Sequence, residues 1–87
     1  MQASPHQIER TILGLLAARG LEKSICPSEA ARALGDAQWR ILMPAVRRVA
    51  LQLALAGKLD ITQRGKRLDP SLDWAGPVRL RRPGPAG

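Results

Sequence analysis

SICPSEAARALGDAQWRILMPAVRRVALQLALAG, residues 24–57, is the stretch that decides the fold. Pro27 suits the first position of a helix, where its missing N–H leaves nothing unpaired, and Glu29 in the first turn interacts well with the helix dipole. Ala30, Ala31 and Leu34 offer small apolar surface that lets a second helix approach closely. Gly35-Asp36 ends this helix and makes a turn. Beyond it, Val46, Val49, Ala50 and Leu53 fall on one helical stripe, with Arg47, Arg48 and Gln52 off it. Two helices joined by a short turn, the second with arginines near its start, outline a helix-turn-helix, whose second helix can enter the DNA major groove.

Pro44 complicates the second helix. Proline removes an amide donor and disfavours helical geometry in the residue before it. The expectation is therefore a short turn or helix from 37 to 42, capped by Asp36, and a new helix opening at Pro44 and stopped by Gly57. One kinked helix over 37–56 is the alternative.

Downstream, KLDITQRGKRLDP (58–70) alternates well enough for two strands. Leu59 and Ile61 share a face. A two-residue turn at Arg64-Gly65 sets Ile61 opposite Leu68, so both land on one side of the hairpin. Arg is a poor first residue for a type I′ turn, and a longer loop is the alternative. Either way Arg64, Lys66 and Arg67 cluster at the tip. A helix-turn-helix followed by a basic hairpin predicts a winged helix.

Upstream, Ser4-Pro5 reads as an N-cap and first helical position. Ile8, Thr11, Ile12, Leu15 and Arg19 then share one face, with Leu16 at its border, and Gly20 ends the helix. Residues 23–25 read as a strand stub that pairs with the hairpin. Residues 71–76 read as a loop carrying Trp74. PVRLRR (77–82) alternates as a last strand, Val78 and Leu80 inward, Arg79 and Arg81 outward. The expected fold class is mainly α with a small antiparallel β-sheet, a single winged helix-turn-helix domain over residues 1–82. Residues 83–87 have no apolar side chain larger than alanine or proline and read as a disordered tail.

Eighty-seven residues suit one domain, and 45% hydrophobic composition supplies one small core. With no Phe or Tyr, that core must be built from Leu, Ile, Val and Ala around two tryptophans. A lone cysteine, Cys26, cannot form an internal disulfide and favours a reducing compartment. No apolar run reaches the roughly 18 residues of a membrane span, and no signal-peptide pattern opens the chain. A cytoplasmic location without membrane attachment is expected. The net charge of +7 is distributed unevenly. Residues 1–36 hold four basic and four acidic side chains, whereas residues 37–87 hold ten and three, so the second part carries the whole excess. A polyanion-binding face produces such asymmetry, and a merely solubilising surface is the blander reading.

Several segments together resemble a known family: SICPSEAAR (24–32), Trp39-Arg40, Met43-Pro44 with Arg47, the turn over 62–65 with Asp69-Pro70, and Gly76-Pro77. They are similar to a small bacterial family known as a domain of unknown function (3253 type). They span nearly the whole chain, and the first segment is fairly specific. Members of the family are regarded as winged-helix-like, so the resemblance implies that fold. It brings no established activity, ligand or catalytic residue.

Enzymatic chemistry is not expected. His6 is the only histidine and has no nucleophile or metal partner in sequence, and Cys26 has no second cysteine or histidine at ligand spacing. No phosphate-loop or dinucleotide glycine pattern is present, so neither a cofactor nor a metal is expected. Cys26 directly precedes a helix, a position that suits a reactive thiol, but it reads first as a packing or capping residue. Trp39 and Trp74 read as core, with Trp39, beside Arg40, the better candidate for stacking on a base. The expected nucleic-acid contacts are Gln38, Arg40, Arg47, Arg48 and Gln52 from the second helix and its approach, and Arg64, Lys66 and Arg67 from the hairpin. Duplex DNA is the favoured partner. Structured RNA on the same surface is an alternative, as is protein contact through Leu13, Leu51 and Leu55. Leu51 and Leu55 lie nearly opposite the core stripe and suggest a weak homodimer.

Overall fold

The computed structural model describes residues 3–20, 23–71 and 74–84. Helix α1 (Pro5–Arg19) starts on a reciprocal cap. The Gln7 N–H donates to Ser4 Oγ at 3.1 Å, and the Ser4 N–H donates to Gln7 Oε1 at 2.8 Å. Two of the otherwise unpaired amides of the first turn are thereby satisfied. The buried face is Ile8, Ile12 and Leu16, and Leu15 is only half-buried. Leu15 packs against the core as expected, while Leu16, expected at the border of that face, is the more deeply buried of the two. The three buried residues form one i, i+4 ridge, the row that packs into a neighbouring helix's groove.

After strand β1 (Ser24–Ile25), helix α2 (Pro27–Gly35) opens with Cys26 at its N-cap. The Glu29 carboxylate turns back and accepts the Cys26 N–H at 2.7 Å. That bond, before the Arg19 guanidinium beside it, holds the Glu29 carboxyl below its ordinary range. Cys26 Sγ accepts the Ser28 hydroxyl at 3.1 Å. Arg19 closes the cluster by pairing with Glu29 and donating to the Ser24 carbonyl.

A 3₁₀ turn (Asp36–Gln38) leads into helix α3 (Trp39–Leu55), which is continuous through Pro44. The expected break at Pro44 does not occur; the single-helix alternative does. Leu42, Val46, Val49, Ala50 and Leu53 are all buried and keep one helical phase across the proline. Their packing on α1 and α2 outweighs the lost N–H. Pro44 and Arg40 both lie on the exposed side, so water can satisfy the Arg40 carbonyl that the proline leaves without its donor. Nor does Asp36 cap α3. Gln38 occupies the N-cap position, with no side-chain cap bond.

Strands β2 (Asp60–Gln63), β3 (Lys66–Arg67) and β4 (Arg79–Arg81) complete a four-stranded antiparallel sheet in the order β1-β4-β2-β3. The stub β1 therefore pairs with the last strand and not with the hairpin, contrary to expectation. The reason lies in which strand can be buried. Ile25, Leu80 and Ile61 line up across β1, β4 and β2, each about fully buried, so β4 brings its leucine to the middle of an apolar row. β3 carries exposed Lys66 and Arg67 and suits an edge, where charge discourages pairing with another chain. This row meets the buried faces of the three helices in one core, which also takes in Leu59 and Val78. The molecule is a single mainly α domain with a small antiparallel sheet. Of the expected tail over 83–87, residues 85–87 lie outside the described residues, while the Gly84 N–H donates to Asp60 Oδ2 at 3.1 Å. Residues 72–73 of the expected loop over 71–76 likewise lie outside.

Candidate nucleic-acid interface

The corner between α2 and α3 is built on an exchange of roles between two residues. Gly35 has an unremarkable φ of −120°, but a Cβ there would stand 2.8 Å from Leu42 Cδ1. Glycine lets the end of α2 meet the first turn of α3 without displacing the Leu42 side chain. Asp36 takes the positive φ of 47° in its place. The corner delivers Trp39 as the first residue of α3, half-buried, with Gln38 and Arg40 exposed on either side. The Arg40 Cζ lies 4.6 Å from the Trp39 ring centroid, and the Arg32 Cζ, from the last turn of α2, lies 4.5 Å from it. Arg32 is absent from the sequence-derived contacts. It sits seven positions from Trp39 on another helix, and only the corner brings the two together.

Along the outward side of α3, Arg48 and Gln52 are exposed as expected. Arg47 is half-buried and engaged. Its Nη2 donates to the Gly76 carbonyl at 3.1 Å, and its guanidinium lies 4.5 Å from the Trp74 centroid. The same side is also apolar. Ile41 is 61% and Leu55 58% exposed, and Leu51 is half-buried between them along the helix. Leu13, grouped with Leu51 and Leu55 from sequence, is half-buried on α1 and packs against the core.

The hairpin takes the two-residue turn. Gln63 pairs with Lys66 and Thr62 with Arg67, and the Leu68 N–H donates to the Ile61 carbonyl at 2.8 Å. Arg64 and Gly65 have φ of 54° and 81°, the pair of positive values a type I′ turn requires. Arg64, Lys66 and Arg67 are all exposed. At the hairpin's base, Gln63 Nε2 donates to the carbonyls of Ala75 at 2.8 Å and Pro77 at 3.2 Å. Gly76, between them, is the residue held by Arg47 of α3. One short segment thus joins the hairpin to the middle of α3.

Residues 5–83 match the family model described as protein of unknown function (DUF3253). The chain belongs to that family. Among curated proteins none matches the chain. In this DUF3253 member, the sequence-derived residues fall into three places: Gln38 and Arg40 at the α2–α3 corner, Arg48 and Gln52 farther along α3, and Arg64, Lys66 and Arg67 on the hairpin. Arg47 stands apart, joining α3 to the 74–77 segment. Among the described residues no helix is long and apolar enough to cross a membrane.

Proposed function

We propose that this protein binds nucleic acid, duplex DNA foremost, with α3 as the recognition helix and the β2–β3 hairpin as the wing of a winged helix. The observation that carries the reading is the shared anchorage of the two elements. Arg47 of α3 and Gln63 of the hairpin grip the same 75–77 segment, so exposed Arg40, Arg48, Arg64, Lys66 and Arg67 belong to one joined basic unit. Arg64 adds support. It occupies a left-handed turn position where glycine or asparagine is less strained, and strain of this kind is commonly retained at functional sites. Gln38, Arg48 and Gln52 would meet base edges or groove walls, while Arg40, Arg64, Lys66 and Arg67 would meet phosphates. A cytoplasmic setting goes with this reading.

The test is binding to a labelled duplex across a salt series. Each phosphate contact adds about 0.9 to the slope of log affinity against log salt. Changing Arg64, Lys66 and Arg67 to alanine therefore flattens the slope by up to about 2.7 and weakens binding similarly on every sequence. Absence of duplex binding by the unaltered protein at about 50 mM salt, where non-specific contacts are strong, overturns the reading. An A-form RNA duplex run in parallel separates the structured-RNA alternative.

A second reading rests on the exposure of Ile41 and Leu55 with Leu51 between them. Paired in a weak homodimer, these side chains would be covered, and two reading heads would lengthen the recognised site. Sedimentation that finds only monomer at high micromolar concentration rejects it.

A further inference from the structure

Two arginines from different helices share one tryptophan at the α2–α3 corner. Their distances from the Trp39 centroid, 4.5 Å and 4.6 Å, put an upper bound of about 9 Å on the separation of the two Cζ atoms. Two cations this close repel one another, and the electron-rich ring face offsets part of that repulsion. Stacking occupies the flat face of a guanidinium but leaves its in-plane N–H donors free. Among the described residues, neither Arg32 nor Arg40 is paired with a carboxylate; the ion pairs there are Arg19–Glu29 and Lys58–Glu9. Both arginines are exposed.

Arg47 makes the contrast. It stacks on Trp74 at a similar distance, yet it spends a donor on the Gly76 carbonyl and is half-buried. That arrangement is a structural tie. At Trp39 the stacking is present, and among the described residues neither guanidinium donates a hydrogen bond to the protein, so the donors are open to an acceptor from outside. Asp36, exposed in the intervening turn, forms no ion pair among the described residues.

We infer that Arg32 and Arg40, stacked on Trp39, form a phosphate clamp for a nucleic-acid backbone, an inference that rests on the nucleic-acid reading above. The chemistry fits a phosphodiester strand. Each guanidinium offers two parallel donors to one phosphate, and charges recur about every 3.4 Å of axis along a strand, so neighbouring phosphates fall within the clamp's reach. The ring holds both side chains before the ligand arrives, which reduces the ordering cost of binding. The clamp reads no bases. It sets the register in which the neighbouring α3 residues meet the groove.

The experiment uses the full chain and labelled duplexes of several unrelated sequences, over a salt series. Arg32→Ala and Arg40→Ala each weaken binding alike on every sequence and lower the salt slope by about 0.9. The double lysine variant, R32K with R40K, retains most of the slope because the charge remains, but binds more weakly because the planar fork is lost. A second readout uses Trp74→Phe, which leaves Trp39 as the only tryptophan; its emission changes on titration with unlabelled duplex. Wild-type binding with an unchanged slope in R32A/R40A, or saturable binding with unaltered Trp39 emission, overturns the clamp alone. A wild-type chain that binds no duplex overturns the underlying reading and the clamp with it. A pair that only shields the core shifts the melting curve of the alanine variants and leaves their salt slope at the wild-type value, which also overturns the clamp.

Discussion

Arg47 and Arg48 are neighbours in sequence with opposite expected consequences, and replacing each by alanine tests how α3 and the hairpin are joined. Arg47 loses its 3.1 Å bond to the Gly76 carbonyl and its stacking on Trp74. A hydrogen bond from a charged donor contributes about 1.5–3 kcal/mol when sheltered, and this one is partly solvated, so about 1 kcal/mol is a fair value. Cation–π stacking at an exposed site adds about 0.5–1 kcal/mol. The sum is about 1.5–2 kcal/mol, which for a domain of this size lowers Tm by roughly 6–16 °C. Arg48 is exposed, and its replacement should leave stability within about 0.5 kcal/mol. Urea and thermal melts followed by circular dichroism measure both. The double variant with Trp74→Ala should destabilise less than the two single changes added together, with a coupling of about 0.5–1 kcal/mol. If R47A melts with R48A and wild type, or if the cycle with Trp74 is additive, the tie is not what holds the 74–77 segment, and the joined-unit argument for the interface goes with it.

Arg64→Asn should raise stability by up to about 1 kcal/mol, since asparagine tolerates the left-handed turn position better, while weakening duplex binding; a variant improved in neither urea midpoint nor Tm contradicts the strain. Gly35→Ala should destabilise by about 1–3 kcal/mol because its Cβ meets Leu42. The same change at Gly14, which has open space around it in α1, should stabilise by up to about 1 kcal/mol. Glu29 contributes through a carboxyl held below its ordinary value of 4.5, chiefly by the Cys26 N–H. Because the folded state depresses this value, the contribution is complete above pH about 4.5 and is lost as pH falls through the lower folded value. The stability advantage of wild type over Glu29→Gln should accordingly be present at pH 7 and shrink at pH 3 in urea midpoints.

The elements themselves were largely legible in the chain because their signals are local. Ser4-Pro5 and Gly20 bound α1, Pro27 opens α2, and the alternation around Arg64-Gly65 points to the hairpin register while leaving a longer loop open, each through the dihedral preferences and hydrogen bonds of a few adjacent residues. The charge asymmetry and the exposed cations of α3 and the hairpin were legible for the same reason, since composition and helical phase need no partner. What tertiary structure alone decided is where local signals conflict or are silent. Pro44 carries a local stop signal, and five buried side chains on one continuous stripe override it. Leu16 is buried more deeply than Leu15, because the ranking of adjacent leucines depends on how α1 lies against its neighbours. The pairing of β1 with β4 follows from competition for the middle of a sheet, which no single strand's pattern encodes. The dipeptide Gly35-Asp36 reads from sequence only as a helix end and a turn; that a Cβ at 35 would crowd Leu42 and that the positive φ falls on the aspartate depend on how α2 meets α3. Arg32 and Trp39 meet, and Arg47 reaches Gly76, for the same physical reason. Contacts between residues on different elements are set by packing, and linear spacing carries no record of them.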